Sequence, residues 1–183
     1  MIRKFFSLFY NGVRFVGRKN YFKIISVQPS TKIFVSKNGT LNIGEKFRTR
    51  FNVELNVRDE AVLEIGNNVF FNSGCIVTAR KKVSIGNNTI FGPNVVIYDN
   101  DHRILDGRVL DNEFITKPVK IGNNVWVGAG TIILKGTVIE DNCIIAAGSI
   151  VSGIVKQNNV LVQKKHTDLF PIEKGLSCKH NES

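Results

Sequence analysis

Ile121-Gly122-Asn123-Asn124-Val125-Trp126-Val127 opens a run in which an aliphatic residue returns at every sixth place: Ile121, Val127, Ile133, Ile139, Ile145 and Val151. Near copies of its first five residues stand at Ile65-Gly66-Asn67-Asn68-Val69 and Ile85-Gly86-Asn87-Asn88-Thr89. A degenerate copy follows at Ile139-Glu140-Asp141-Asn142-Cys143. Such a period fits neither the 3.6-residue turn of an α-helix nor the two-residue alternation of a strand. It fits a parallel β-helix, an all-β fold in which each unit supplies one short face and one corner.

The chemistry inside a unit is legible. The first, aliphatic place points inward. Glycine or alanine at the second place tolerates tight packing, and asparagine at the fourth adopts a left-handed corner more cheaply than most residues. The fifth place holds small residues: Cys75, Thr89, Thr131, Thr137, Cys143 and Ser149. Cys75 and Cys143 are therefore expected to pack as small hydrophobes. The chain has three cysteines, an odd and widely spaced set that argues against a disulfide framework and for a reducing, cytoplasmic setting.

The period also serves as a ruler. Ile121 to Ile139 is three units, one triangular turn. Ile85 to Ile121 is twice as long, but the period runs only through Phe91 and Ile97 and then lapses between Arg103 and Pro118. That stretch is rich in charge and carries the turn dipeptide Asp106-Gly107, so it reads as an inserted loop over 103–118, where a rigid scaffold tends to carry function. The expected organisation is an N-terminal cap or membrane-proximal segment over 1–40, the β-helix over 41–162 and a polar tail over 163–183.

The first twenty residues place Phe5, Phe6, Phe9, Val13 and Val16 on one side of a helix, with Arg3, Lys4, Arg14 and Arg18 toward its flank. This segment is too short and too charged to span a bilayer. Two readings stand: a helix capping the open end of the β-helix, or an interfacial anchor making peripheral membrane contact at the inner face of the cell membrane. The net charge of +10 points to an anionic partner. The chain shows no helix-turn-helix, zinc-finger or paired-aromatic pattern, which sets nucleic acid aside.

The repeated [Ile/Val/Leu]-[Gly/Ala]-x-x-[small]-x pattern over about residues 43–156 resembles the hexapeptide-repeat acyltransferases, which form left-handed parallel β-helices. A closer subset, the sugar O-acetyltransferases, shows a histidine where a loop interrupts the coils, a tryptophan in an Ile-Gly-Asn-Asn-Val-Trp-x-Gly string, and an Ala-Gly-Ser turn. Here these are Asp99-Asn100-Asp101-His102, the string Ile121 to Gly128, and Ala147-Gly148-Ser149.

The resemblance implies that His102 is the general base. It would take the proton from an acceptor hydroxyl as that oxygen attacks the thioester of acetyl-CoA, a task suited to an imidazole. Asp99 or Asp101 would orient the ring or meet the substrate, unless a backbone carbonyl does so. Asn72 would position the acceptor and the tetrahedral intermediate. Acetyl-CoA, the co-substrate, would lie in a groove between subunits of a homotrimer. That groove would be lined by Gly128, Ala129, Gly130, Ala147, Ser152 and Gly153, with the Ala129 amide as an oxyanion donor. Trp126 either flanks the groove or fills space between subunits.

One departure concerns the nucleotide end of CoA. Where relatives carry a Gly-x-Pro-Ala-basic string, this chain has Val162-Gln163-Lys164-Lys165-His166, leaving Lys164 and Lys165 as its cationic remnant. Arg80-Lys81-Lys82 reads either as a contact for an acidic acceptor or as a solvated corner.

No metal is implied: zinc enzymes on this fold need a histidine trio, and only His102 lies within the coils. The expected function is acetylation of a sugar hydroxyl in surface-polysaccharide assembly. The rivals are N-acetylation of a nucleotide-linked amino sugar and a non-catalytic β-helix scaffold.

Overall fold

The computed structural model, which describes residues 26–164, winds the repeats into a parallel β-helix with three flat faces. Each face is a six-stranded parallel sheet. The first stacks Lys32–Val35, Glu54–Val57, Ile76–Ala79, Val96–Tyr98, Ile132–Ile133 and Ile150–Val151. The second stacks Thr40–Ile43, Val62–Ile65, Lys82–Ile85, Val119–Ile121, Val138–Ile139 and Ile154–Val155. The third stacks Arg48–Thr49, Phe70–Phe71, Ile90–Phe91, Trp126–Val127, Ile144–Ile145 and Val160–Leu161. The architecture is the left-handed β-helix of hexapeptide repeats. The segment over 1–20, Lys165 and the rest of the tail lie outside the described residues. Among the described residues no helix is long and apolar enough to cross a membrane.

Pairing begins with a parallel bridge from Ser26 to Arg48, and the first strand starts at Lys32, which pairs with Glu54, earlier than the expected start at 41. The reason lies in the length of the coils. At the corner after the second sheet, the Asn67 side-chain carbonyl accepts from the Glu45 amide 22 residues back, and Asn87 does the same for Asn67 across 20. Asn123 accepts from the Asn87 amide across 36 residues, and Asp141 from Asn123 across 18. The early coils thus carry four-residue strands on longer turns, and Lys32–Val35 falls before the expected start.

The ladder explains the third place of the repeat, where Asn or Asp satisfies the corner amide of the preceding coil. The fourth place is left-handed as expected, with φ of 55° at Asn68, 57° at Asn88, 54° at Asn124 and 59° at Asn142. At the second place close approach excludes a side chain. A Cβ on Gly86 would stand 2.5 Å from the backbone carbonyl of Gly122.

Inward side chains fill the prism in columns. Phe71 and Phe91 stack with ring centroids 4.4 Å apart, and Phe47 meets Phe71 edge-on at 6.1 Å. The fifth-place residues are buried, and three of them also donate to a carbonyl of the next coil. The Thr89 hydroxyl reaches Gly122 O at 3.0 Å, the Cys75 thiol Gly92 O at 3.1 Å and the Cys143 thiol Lys156 O at 3.1 Å. Burial pushes the Cys75 thiol up to about 11. We therefore expect Cys75 and Cys143 to resist iodoacetamide at pH 8 in the native protein and to react on unfolding, read by peptide mapping. Labelling of either before unfolding would contradict this packing.

The interruption of the period is an antiparallel hairpin, Asn100–Leu105 against Arg108–Thr116, so it begins and ends slightly earlier than the expected loop over 103–118. Asp106 and Gly107 form its two-residue turn with φ of 50° and 73°, the geometry that favours an Asp-Gly pair. The hairpin leaves the edge between the first and second sheets. Ile85 pairs directly with Ile121, so the coil continues beneath it as one turn.

Candidate active site

His102 stands at the base of this hairpin. A register shift between His102 and Arg103 places it opposite Phe114 instead of the residue that counting from the turn would give, Asp111. Its Nδ1 lies 3.1 Å from Leu110 O. A carbonyl only accepts, so Nδ1 carries the hydrogen and Nε2 keeps its lone pair. The ring packs on Phe114 at 4.6 Å between centroids. Of the orienting groups weighed from sequence, the backbone carbonyl is the one in contact.

Neither aspartate touches the imidazole. Asp99 is fully buried, and its carboxylate accepts three backbone amides, those of Arg80 at 2.8 Å and of Lys81 and Lys82 at 2.7 Å. It builds the neighbouring corner and is closed to substrate. Asp101 points to the coil body, where it pairs with Lys135 and ties down the hairpin. The basic triplet divides: Lys82 pairs with Glu64 at 3.0 Å, and Arg80 lies over the Phe114 ring, 3.3 Å from its centroid. A supporting chain follows, from Asp99 through the corner amides to Arg80, then Phe114, then His102.

The remaining expected residues lie on two other edges or faces. Asn72 shares one column of the edge between the third and first sheets with Gly92, Gly128 and Ala146, linked by Asn72 N to Phe91 O, Gly92 N to Val127 O and Gly128 N to Ile145 O. The Asn72 side-chain carbonyl accepts from the Ser73 amide at 2.8 Å. Ala129, Gly130 and Ala147 sit at the same edge. Gly128 is required by stacking alone, since a Cβ there would stand 2.5 Å from Ala147 N. Gly130 and Gly153 face open space at φ of 65° and 78°.

Ser152 and Gly153 occupy the edge between the first and second sheets, the same edge as the hairpin. His102 and Asn72 therefore flank the first sheet from opposite sides, and no contact joins them within the chain.

Trp126 lies on the outer side of the third sheet, 54% exposed, between Ile90 and Ile144. Its column from Phe70 onward and the first sheet's outer column from Ile76 through Val96 and Ile132 to Ile150 are apolar and flank the Asn72 edge, with Arg48, Lys32 and Glu54 at their N-terminal ends. The second sheet instead presents Asn42, Glu64, Ser84 and Lys120, which line a shallow, open groove together with Ile43, Ile65, Ile85 and Ile121. At the end of the coils Gln163 stands in for a further strand: its amide accepts from Ile150 N at 2.9 Å and donates to Ile150 O at 2.7 Å. Lys164 follows it and is exposed.

Arg80, Phe114, Leu110 and Lys135 were not singled out from sequence as partners of His102. Leu110 and Phe114 touch its ring, while Arg80 reaches it through Phe114 and Lys135 through Asp101, by coil stacking and the shifted hairpin register, which leave no local signal.

Residues 118–153 match the family described as bacterial transferase hexapeptide (six repeats). The galactoside O-acetyltransferase of Escherichia coli K12 is 35% identical over 98 residues, 54% of this chain and 48% of that protein. The E. coli K12 protein named for lipopolysaccharide biosynthesis O-acetyl transfer, WbbJ, is 26% identical over 141 residues, 70% of each chain. The hexapeptide-repeat acetyltransferase VCA0836 of Vibrio cholerae superposes with a TM-score of 0.58 at 23% identity, over 65% of this chain and 66% of that one, a likeness of fold.

The chain spans about half the length of curated relatives such as the galactoside enzyme. Repeat, fold and relatives define the class: a hexapeptide-repeat left-handed β-helix. Its sequence similarity runs to proteins named as O-acetyltransferases.

Proposed function

We propose that the chain transfers an acetyl group from acetyl-CoA to a sugar hydroxyl. The observation that carries the reading is His102, whose Nδ1–H is held by Leu110 O so that Nε2 is left as a base at the root of the hairpin. Nε2 removes the acceptor proton while the acceptor oxygen adds to the thioester carbonyl. The tetrahedral intermediate collapses by breaking the C–S bond, and the proton on Nε2 passes to the departing CoA thiolate. Ala129 N–H and the Asn72 amide are the proposed donors to the oxyanion.

Because His102 and Asn72 lie on opposite sides of one sheet, the site is completed in a homotrimer, with the apolar first and third faces turned toward neighbouring copies. The pantetheine arm runs past Gly130, Ala147, Ser152 and Gly153, beside Trp126, and Lys164 and Lys165 meet the nucleotide end. WbbJ's name supports a place in surface-polysaccharide assembly, and the basic, aromatic N-terminal segment supports a cytoplasmic enzyme beside the membrane.

A panel of nucleotide sugars and lipid-linked oligosaccharides, incubated with acetyl-CoA and followed by free-CoA release, tests the function. Hydroxyl acceptors are expected to stimulate release. Stimulation by amino sugars alone would establish the N-acetylating rival, and no stimulation by any sugar would leave the scaffold rival standing. Light scattering is expected to give three copies per particle; a monomer would contradict the shared site.

A further inference from the structure

The edge beside His102 carries two cations that proton transfer does not use. Arg58 and Arg80 occupy equivalent corner positions in successive coils, since Val57 pairs with Ala79 and Arg58 N donates to Ala79 O at 2.9 Å. Among the described residues neither guanidinium forms an ion pair, although the charge of the buried Asp99 acts on Arg80. Asp99 is taken by three backbone amides, Glu64 by Lys82, Glu113 by Arg103 and Asp101 by Lys135. Burial and, next, the charge of Arg58 lower the pKa of Arg80, as expected of two cations held close together.

Arg80 is also fixed in orientation. Its guanidinium lies over Phe114, the ring that packs against His102. A planar guanidinium so held presents its N–H groups in a fixed fork, a geometry suited to carboxylate or phosphate oxygens. An anion seated there stands one aromatic ring away from the base. Asn56 and Thr78, on the outward side of the first sheet just before these arginines, are buried and bonded to one another, Asn56 Nδ2 to Thr78 Oγ1 at 3.5 Å.

We propose that Arg58 and Arg80 form an anion subsite for the acceptor, which grips an acidic group of the sugar while a hydroxyl of the same molecule meets Nε2 of His102. The acceptor class is thus an acidic or phosphorylated sugar; its being an acetyl acceptor rests on the function proposed above.

The test reads binding without turnover. Glucuronic acid, glucose 1-phosphate and methyl glucoside are titrated by calorimetry into the full chain, as wild type, Arg58→Gln, Arg80→Gln and Arg80→Lys. At least one anionic probe is expected to bind roughly tenfold or more tightly than methyl glucoside. Preference for glucuronic acid identifies a carboxylate as the group held, and preference for glucose 1-phosphate a phosphate. Arg58→Gln and Arg80→Gln are expected to reduce the preference, and Arg80→Lys to restore part of it.

Equal binding of all three probes, or a preference that survives both glutamine variants, overturns the subsite. Should Arg80→Gln lose its fold by circular dichroism, the exposed Arg58 decides alone. Anion preference without acetyl transfer would refute the transfer reaction and leave the subsite intact.

Discussion

Replacing His102 with alanine is expected to lower acetyl transfer by roughly 10²–10⁴-fold, the usual worth of a positioned general base. The loss should fall on kcat, because the exposed imidazole contributes to proton transfer and not to the coil scaffold. Among the described residues its ring has one polar tie, to Leu110 O, and the Phe114 ring beside it is also covered by Arg80, so the hairpin retains its other contacts. Thermal melting and subunit number should match wild type. His102→Gln separates the roles further: its amide can still donate to Leu110 O but offers no base, so it should be nearly as inactive as alanine. A variant that keeps most of its activity would refute the proposed proton route.

Asp99→Asn is expected to have the largest effect on stability, about 2–4 kcal/mol. The carboxylate is fully buried and presents two oxygens to three amide donors. An asparagine replaces one oxygen with an NH2 group, which sets donor against donor and leaves at least one buried amide without a partner. The same change loosens the corner that seats Arg80 against Phe114, so kcat should fall while the KM for acetyl-CoA changes little. Denaturant unfolding and steady-state kinetics read the two effects. Unchanged stability would show that the corner amides find other partners.

The fold was readable because the repeat constrains side chains at every level. Inward aliphatics, second-place glycines and fourth-place asparagines each answer a separate demand of the corner and the stacked sheet. The first coil, from Lys32, escaped the ruler because the early turns are 22 and 20 residues long and no Ile-Gly-Asn-Asn phrase lies within it; the coils at Ile65 and Ile85 carry that phrase, with Asn67 and Asn87 in the place that Asn123 takes later. The site was readable only at its centre. The lapse of the period picked out His102, since a hairpin must leave the coil there.

What surrounds His102 depends on pairs far apart in sequence and on a bulge that slides Phe114 into place. Asp99 illustrates the limit: an aspartate three residues before His102 looks like a ligand group, and only the stacked corner shows its three amides. Gln163 illustrates the reverse. A position that read as a degraded cofactor contact is occupied in pairing with Ile150.

The most direct test of acetyl transfer to a sugar hydroxyl follows the label itself. Radiolabelled acetyl-CoA is incubated with the trimmed acceptor panel and with wild type or His102→Ala, and the sugar product is isolated and treated with mild base. The proposed chemistry predicts labelled sugar with wild type alone, and release of the label as acetate by base, as an ester requires. A base-stable product, equal labelling by the alanine variant, or no labelled sugar from any acceptor would contradict it.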